Sequence, residues 1–267
     1  MYWRIYMADL SIRFFSNCLR RTVEFRMFLP NDKRNDIPWE EEKHAKGDMK
    51  TIFLLHGYTG DGDVWVNREQ AASLNIAVVA PSGENGFWLD GEATGRQYAS
   101  FVGIELVEYI RNTFGIAMTP DKTAVMGLSM GGFGALHTAL MFPETFGVCT
   151  ALSSALIHNE VAKMKPGEGN PVANYEYYRE CFGDPEKLPE SVNNPEYLAK
   201  KLKAEGKKLP KIFMACGTED FLLEPNRAFH KFLNDTGINH VYEESEGIHD
   251  MKFWSKYSEI FLPQMFA

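Results

Sequence analysis

Five short, mostly apolar runs set the strongest limit on how this chain folds: Thr51–Leu55, Ile76–Ala80, Thr123–Met126, Val148–Leu152 and Lys211–Cys216. None alternates with polar residues, so each needs cover on both faces, the condition met by a strand inside a parallel sheet. Segments with helical spacing separate them. Trp65 to Leu74 reads as a helix, Phe101, Ile104, Leu106, Val107 and Ile110 recur at helical intervals, and a small-residue helix ends near Pro143. Downstream, Arg227–Asn234 reads as a helix, His240–Glu244 as a strand and Phe253–Phe261 as a terminal helix; upstream, Thr22–Leu29 reads as a strand stopped by Pro30. Strands alternating with helices predict a mostly parallel central sheet with helices on both faces. A length of 267 residues suits a single domain spanning 1–267.

One segment breaks the rhythm. His158 to Lys208 is rich in Pro, Asn and Tyr and holds two strands apart. Excursions of that length are usually functional, so 158–208 is expected to be a lid-like insertion. Asn31 to Met49, charged and turn-rich, is expected to be a surface loop.

Composition excludes several classes. A formal charge of −8 argues against nucleic acid, whose phosphates favour a basic face. No apolar run approaches the roughly 20 residues of a membrane-spanning helix, and Arg4 and Asp9 interrupt the N-terminal apolar stretch, which makes it a poor signal peptide. Cys18, Cys149, Cys181 and Cys216 lack metal-ligand spacing and form no evident disulfide framework. The expectation is a cytoplasmic protein with no metal, nucleic-acid or membrane partner.

The chemistry centres on Gly127-Leu128-Ser129-Met130-Gly131. A serine flanked this way, after a strand and before a helix, occupies a tight turn that side chains two positions away would obstruct. Its hydroxyl is nearly inert until a base removes the proton, and in this arrangement an acid and then a histidine follow in the chain. His249 lies in a loop just after the last predicted strand, whereas His230 falls in a helix and His240 at a strand start. His137, about two helical turns beyond the serine, reads as a packing residue, and His56, upstream of the serine, as a structural one. For the acid, Asp220 and Glu219 compete after the fifth run, with Glu246 and Asp250 as outsiders; Asp220 is favoured as the group that would hold the imidazole's far nitrogen. An oxyanion hole needs two amide donors. Met130 N–H, at a helix start, supplies one, and Tyr58 N–H, in the loop that Gly57 opens, is the preferred second. Trp65, Phe87, Trp88 and Trp254 fall near the strands' carboxyl ends and are candidates for an apolar substrate pocket.

Leu54–Gly60, Asn85–Asp90, Gly127–Gly134, Gly217–Leu222 and Gly247–Asp250 together resemble the putative esterase family of α/β-hydrolases. That group contains esterase D (S-formylglutathione hydrolase), acetyl xylan and feruloyl esterases and, most similar here, bacterial tributyrin esterases. The resemblance runs from about Ser16 to the C-terminus and implies an α/β-hydrolase fold. It implies a Ser129–Asp220–His249 triad, an oxyanion hole near Gly57, Tyr58 and Met130, and hydrolysis of small short-chain acyl esters, including acetylated carbohydrates. It also implies no cofactor and a homo-oligomer. An S-formylglutathione thioesterase is the alternative activity, and a catalytically silent binding protein the alternative class. Met1 to Leu10 reads as an extension, with Met7 as an alternative start.

Overall fold

A computed structural model describes residues 8–30 and 48–267. Among these residues eight strands form one sheet in the order β1-β2-β4-β3-β5-β6-β7-β8. These are β1 (Ala8–Ser16), β2 (Arg21–Leu29), β3 (Lys50–Leu55), β4 (Ile76–Pro81), β5 (Thr123–Leu128), β6 (Val148–Leu152), β7 (Lys211–Gly217) and β8 (His240–Ser245). The pairs β1/β2 and β2/β4 are antiparallel; every pair from β4 to β8 is parallel. The parallel sheet matches what the five apolar runs predict, and the fold is that of an α/β-hydrolase, as the family resemblance implies.

The runs are apolar throughout because successive side chains enter two different cores. Phe53, Leu55, Val79 and Val125 pack into one, while Ile52, Leu54, Val78 and Met126 pack into the other. Helices α1 (Arg68–Ser73) and α9 (Met251–Met265) cover the second face. The first face is covered by a helix running from Tyr98 to Phe114, by α4 (Met130–Met141) and by α8 (Leu223–Asp235). The helix from Tyr98 comprises α2 (Tyr98–Ser100), a π-helical stretch Phe101–Leu106, and α3 (Val107–Phe114).

Boundaries follow the caps. Asn67 Oδ1 accepts from Gln70 N–H, which delays α1 beyond the expected Trp65. Asp250 Oδ1 accepts from Phe253 N–H at 2.9 Å, so α9 starts at Met251, before the expected Phe253. The strand β1 was not recognised in the sequence. Its alternation of Leu10, Ile12 and Phe14 is that of a strand with one face covered, and it pairs residue for residue with β2 from Ala8↔Leu29 to Ser16↔Arg21. Ala8–Leu10 therefore belong to the sheet rather than to an extension; Met1–Met7 and the expected loop between Asn31 and Met49, apart from Asp48 and Met49, lie outside the described residues. Between β6 and β7, the segment 158–208 carries α5 (His158–Val161), α6 (Tyr175–Phe182) and α7 (Pro195–Ala204).

Candidate active site

Four parallel strands deliver the site. The loops after β3, β5, β7 and β8 carry Tyr58, Ser129, Asp220 and His249. Ser129 is the turn between β5 and α4, with φ 55° and ψ −119°, a backbone setting that disfavours side chains other than glycine's. The elbow holds because its neighbours leave room. A Cβ on Gly127 would lie 2.0 Å from Gly131 O, and one on Gly131 would lie 2.1 Å from Leu55 O. Backbone bonds then clamp the turn: Ser129 N–H donates to Leu152 O at 2.9 Å, and Ser129 O accepts from Phe133 and Ala155 N–H.

The hydroxyl is half-buried and meets the imidazole, with Ser129 Oγ 2.9 Å from His249 Nε2. On the other side, His249 Nδ1 lies 2.8 Å and 3.0 Å from the two Asp220 oxygens. A carboxylate can only accept, so Nδ1 carries the proton and Nε2 is free to accept from the serine. Asp220 is buried, which by itself raises a carboxyl pKa. The His249 hydrogen bond, the Leu222 N–H at 2.8 Å and the neighbouring Ser153 outweigh that and hold it below its ordinary value. The aspartate is thus kept ionised beside the imidazole. Phe221 and Trp254 pack against the His249 ring, with centroids at 4.5 Å and 4.9 Å.

The competing acids separate by position. Glu219 points to solvent while its N–H bonds Gly247 O, Glu246 is exposed, and Asp250 caps α9. The other histidines are engaged elsewhere. His56 accepts from Gly83 N–H at Nε2, so Nδ1 is protonated and donates to Gly57 O at 2.7 Å. Both nitrogens are occupied, and burial pushes its pKa below the usual histidine value. His137, fully buried, bonds Val192 O through Nε2, and burial lowers its pKa to about 4. His230 and His240 bond each other at 2.7 Å.

Two amides lie beside the serine. Met130 is the first residue of α4, where a backbone N–H has no carbonyl one turn back to bond and the helix dipole favours negative charge. Gly57 brings the β3 loop against the elbow, since a Cβ there would lie 2.9 Å from Leu128 Cδ1 and 3.3 Å from Ser129 Cβ. In that loop Gly60 N–H closes onto Gly57 O and Thr59 N–H is taken by Asn85 Oδ1 at 2.8 Å. Tyr58 N–H has no protein acceptor among the described residues.

The aromatic candidates divide. Phe87 and Trp88 adopt positive φ, turn inward and are 3% and 0% exposed, which corrects the expectation that they line a pocket. Trp88 Nε1–H donates to His56 O, and its ring lies against Gly83 and Gly134. Trp254 backs the His249 ring, and Trp65 packs at the margin of the core on that face. Two contributors were missed in the sequence. Asn85 ties the Tyr58 loop to the insertion, because its carbonyl accepts from the Tyr177 hydroxyl of α6 at 2.5 Å, and the Tyr177 ring packs edge-on to Tyr58. Phe221, next to the acid in the chain, is the second, with its ring against His249. A cleft of about 600 Å³ lined by Lys203, Lys211 and His240 opens at the amino ends of β7 and β8, the other end of the sheet from Ser129. Among the described residues no cluster of His, Cys, Asp and Glu could hold a metal ion, and no helix is long and apolar enough to cross a membrane.

Fold and site together define a serine hydrolase on the α/β-hydrolase scaffold. The chain belongs to the family described as "Putative esterase", whose profile matches residues 16–257. An acetyl esterase of Caldicellulosiruptor saccharolyticus is 42% identical over 255 residues, covering 94% of this chain and 95% of that protein. Among solved structures, the substrate-bound fluorophosphonate-binding serine hydrolase F of Staphylococcus aureus superposes with a TM-score of 0.82 at 23% identity, over 98% of this chain and 99% of its own. An S-formylglutathione hydrolase from the same organism gives 0.79 at 23% identity, over 98% and 100%. At that identity these two speak for the shared fold.

Proposed function

We propose that this protein is a serine carboxylesterase acting on short-chain acyl esters, acetyl groups on carbohydrates among them, through an acyl-enzyme on Ser129. The observation that carries the reading is the continuous hydrogen-bonded line from Ser129 Oγ through His249 to Asp220. The 42% identity to an acetyl esterase supports the acyl class.

In this reading Ser129 Oγ attacks the ester carbonyl while His249 Nε2 takes its proton. Asp220 holds the imidazole in the required tautomer and stabilises the imidazolium. The Met130 and Tyr58 amides receive the negative charge that develops on the carbonyl oxygen. His249 then passes the proton to the departing alcohol oxygen. Water then attacks the acyl carbon while giving a proton to the same nitrogen, and His249 returns that proton to Ser129 Oγ as the Oγ–acyl bond breaks and the acid leaves. The segment 158–208 acts as an insertion within one domain of residues 1–267, and its Tyr177–Asn85 contact with the Tyr58 loop supports a lid role. Four unpaired thiols support a cytoplasmic setting. A homo-oligomer belongs to the same reading and is tested by light scattering.

The test is a fluorophosphonate label on purified protein, followed by turnover of 4-nitrophenyl acetate and butyrate, acetylated sugars and S-formylglutathione. The expected result is a label on Ser129 and the highest kcat/KM on an acetyl or butyryl oxygen ester. A clear preference for the thioester moves the protein to the S-formylglutathione class. Absence of label and turnover in folded protein leaves a binding protein on this scaffold.

A further inference from the structure

Phe221 is the most exposed large apolar side chain among the described residues, with 73% of its surface open. An aromatic ring left in water contributes little to folding. Its ring contact is the imidazole of His249, at 4.5 Å between centroids and 48° between planes. Ile248 and Met251, 51% and 45% exposed, flank the same histidine in the chain. Single exposed apolar residues are ordinary on any surface. Here one packs on, and two adjoin in the chain, the one imidazole that the esterase reading asks to move protons.

Resting on that reading, we infer that Phe221 is the platform for the alcohol part of the ester and sets the preference for the leaving group. The geometry follows from the chemistry of departure. The leaving oxygen must come within about 3 Å of His249 Nε2 to receive its proton. The first carbons of the alcohol are thereby brought to the same imidazole on which the Phe221 ring packs, with centroids 4.5 Å apart. Two rings pack there, and Trp254 is only 8% exposed, so Phe221 is the one open to a ligand. A phenyl face selects a flat apolar partner, such as an aryl or benzyl group or the C–H face of a pyranose. Because the alcohol leaves before water enters, a ring that holds the alcohol acts on acylation and not on deacylation.

The experiment compares wild type with Phe221→Ala and Phe221→Leu on benzyl acetate against methyl acetate, and on 4-nitrophenyl acetate, propionate and butyrate. Thermal unfolding confirms that each variant is folded. Phe221→Ala is expected to lower the benzyl-to-methyl ratio of kcat/KM by about tenfold, the range one apolar contact commands. Phe221→Leu is expected to lower it less, and the order of preference along the acyl series is expected to persist. A ratio within about twofold of wild type overturns the inference. So does a change in the acyl order at constant alcohol ratio, which puts the ring on the acyl side. Equal losses on every ester with a displaced pH profile overturn it too, in favour of a shield for His249. Wild type that turns over none of these esters overturns the esterase reading itself, and this one with it.

Discussion

Asp220→Asn replaces one oxygen by a nitrogen of nearly the same size, so its consequence is chemical rather than steric. Asp220 Oδ1 accepts from Leu222 N–H at 2.8 Å, and Oδ2 lies 2.8 Å from His249 Nδ1. An asparagine has one accepting end and one donating end. Its oxygen takes the Oδ1 place to meet the Leu222 N–H, so its NH₂ takes the Oδ2 place, the nearer of the two to His249 Nδ1 at 2.8 Å against 3.0 Å. Opposite a donor, Nδ1 has to accept, and the imidazole proton moves to Nε2. That is the atom 2.9 Å from Ser129 Oγ, and once protonated it cannot take the serine's proton. The wrong tautomer in a Ser-His-Asp triad costs on the order of 10⁴ in kcat, or roughly 5 kcal/mol at 1.36 kcal/mol per tenfold. The assay is kcat for 4-nitrophenyl acetate on wild type, Asp220→Asn, Ser129→Ala and the double variant, with unfolding midpoints as controls. Since the three residues act as a unit, the double variant is expected to lose no more than Ser129→Ala alone. A folded Asp220→Asn enzyme that keeps more than about a tenth of wild-type kcat would refute the tautomer argument.

Ser129→Ala and His249→Ala are each expected to lose several orders of magnitude in kcat, whereas Glu219→Gln, altered on an exposed side chain, is expected to retain most activity; equal loss at Glu219 would reassign the acid. Asn85→Ala removes the acceptor for Thr59 N–H and frees the loop that carries the Tyr58 amide. Deleting an oxyanion donor outright costs about 10²–10³, so loosening one is expected to lower kcat by roughly tenfold with little change in KM, and Asn85→Asp, which keeps an accepting oxygen, is expected to recover most of it. His137 is buried neutral with a pKa of about 4, against roughly 6.5 when unfolded. The unfolded chain therefore binds the extra proton first, and stability is lost as pH falls from about 6.5 to about 4, by roughly 3 kcal/mol for this histidine. Urea unfolding of wild type and His137→Gln at pH 7 and pH 4.5 is expected to show a smaller acid loss in the variant, and parallel losses would refute it.

The elements legible from the chain were those whose physics is local. An apolar run of five residues already states that both sides of a strand are covered. Glycines two positions before and after Ser129 mark places where a Cβ would strike backbone, as a tight turn at the serine requires. β1 carried its signal too, in the alternation of Leu10, Ile12 and Phe14, but a half-covered antiparallel strand is faint without its partner β2. Phe87 and Trp88 misled because a tryptophan in a glycine-rich loop looks like pocket lining. Two consecutive positive φ angles, invisible in the sequence, turn both rings into the core.

The sequence by itself therefore determined the alternation of strands and helices from β2 onward outside 158–208, the elbow that presents Ser129, and a short set of acids and histidines able to serve it. Tertiary structure decided among them. Asp220 is 5% exposed and Glu219 lies in solvent, though they are adjacent in the chain, because only packing distinguishes the inner side of a turn from the outer. Asn85 joined the site through bonds to residues 26 and 92 positions away. Phe221 came to rest on an imidazole delivered by a different strand. Residue types and their spacing encode what a segment can do alone; which groups meet is decided where β3, β5, β7 and β8 bring their carboxyl ends side by side.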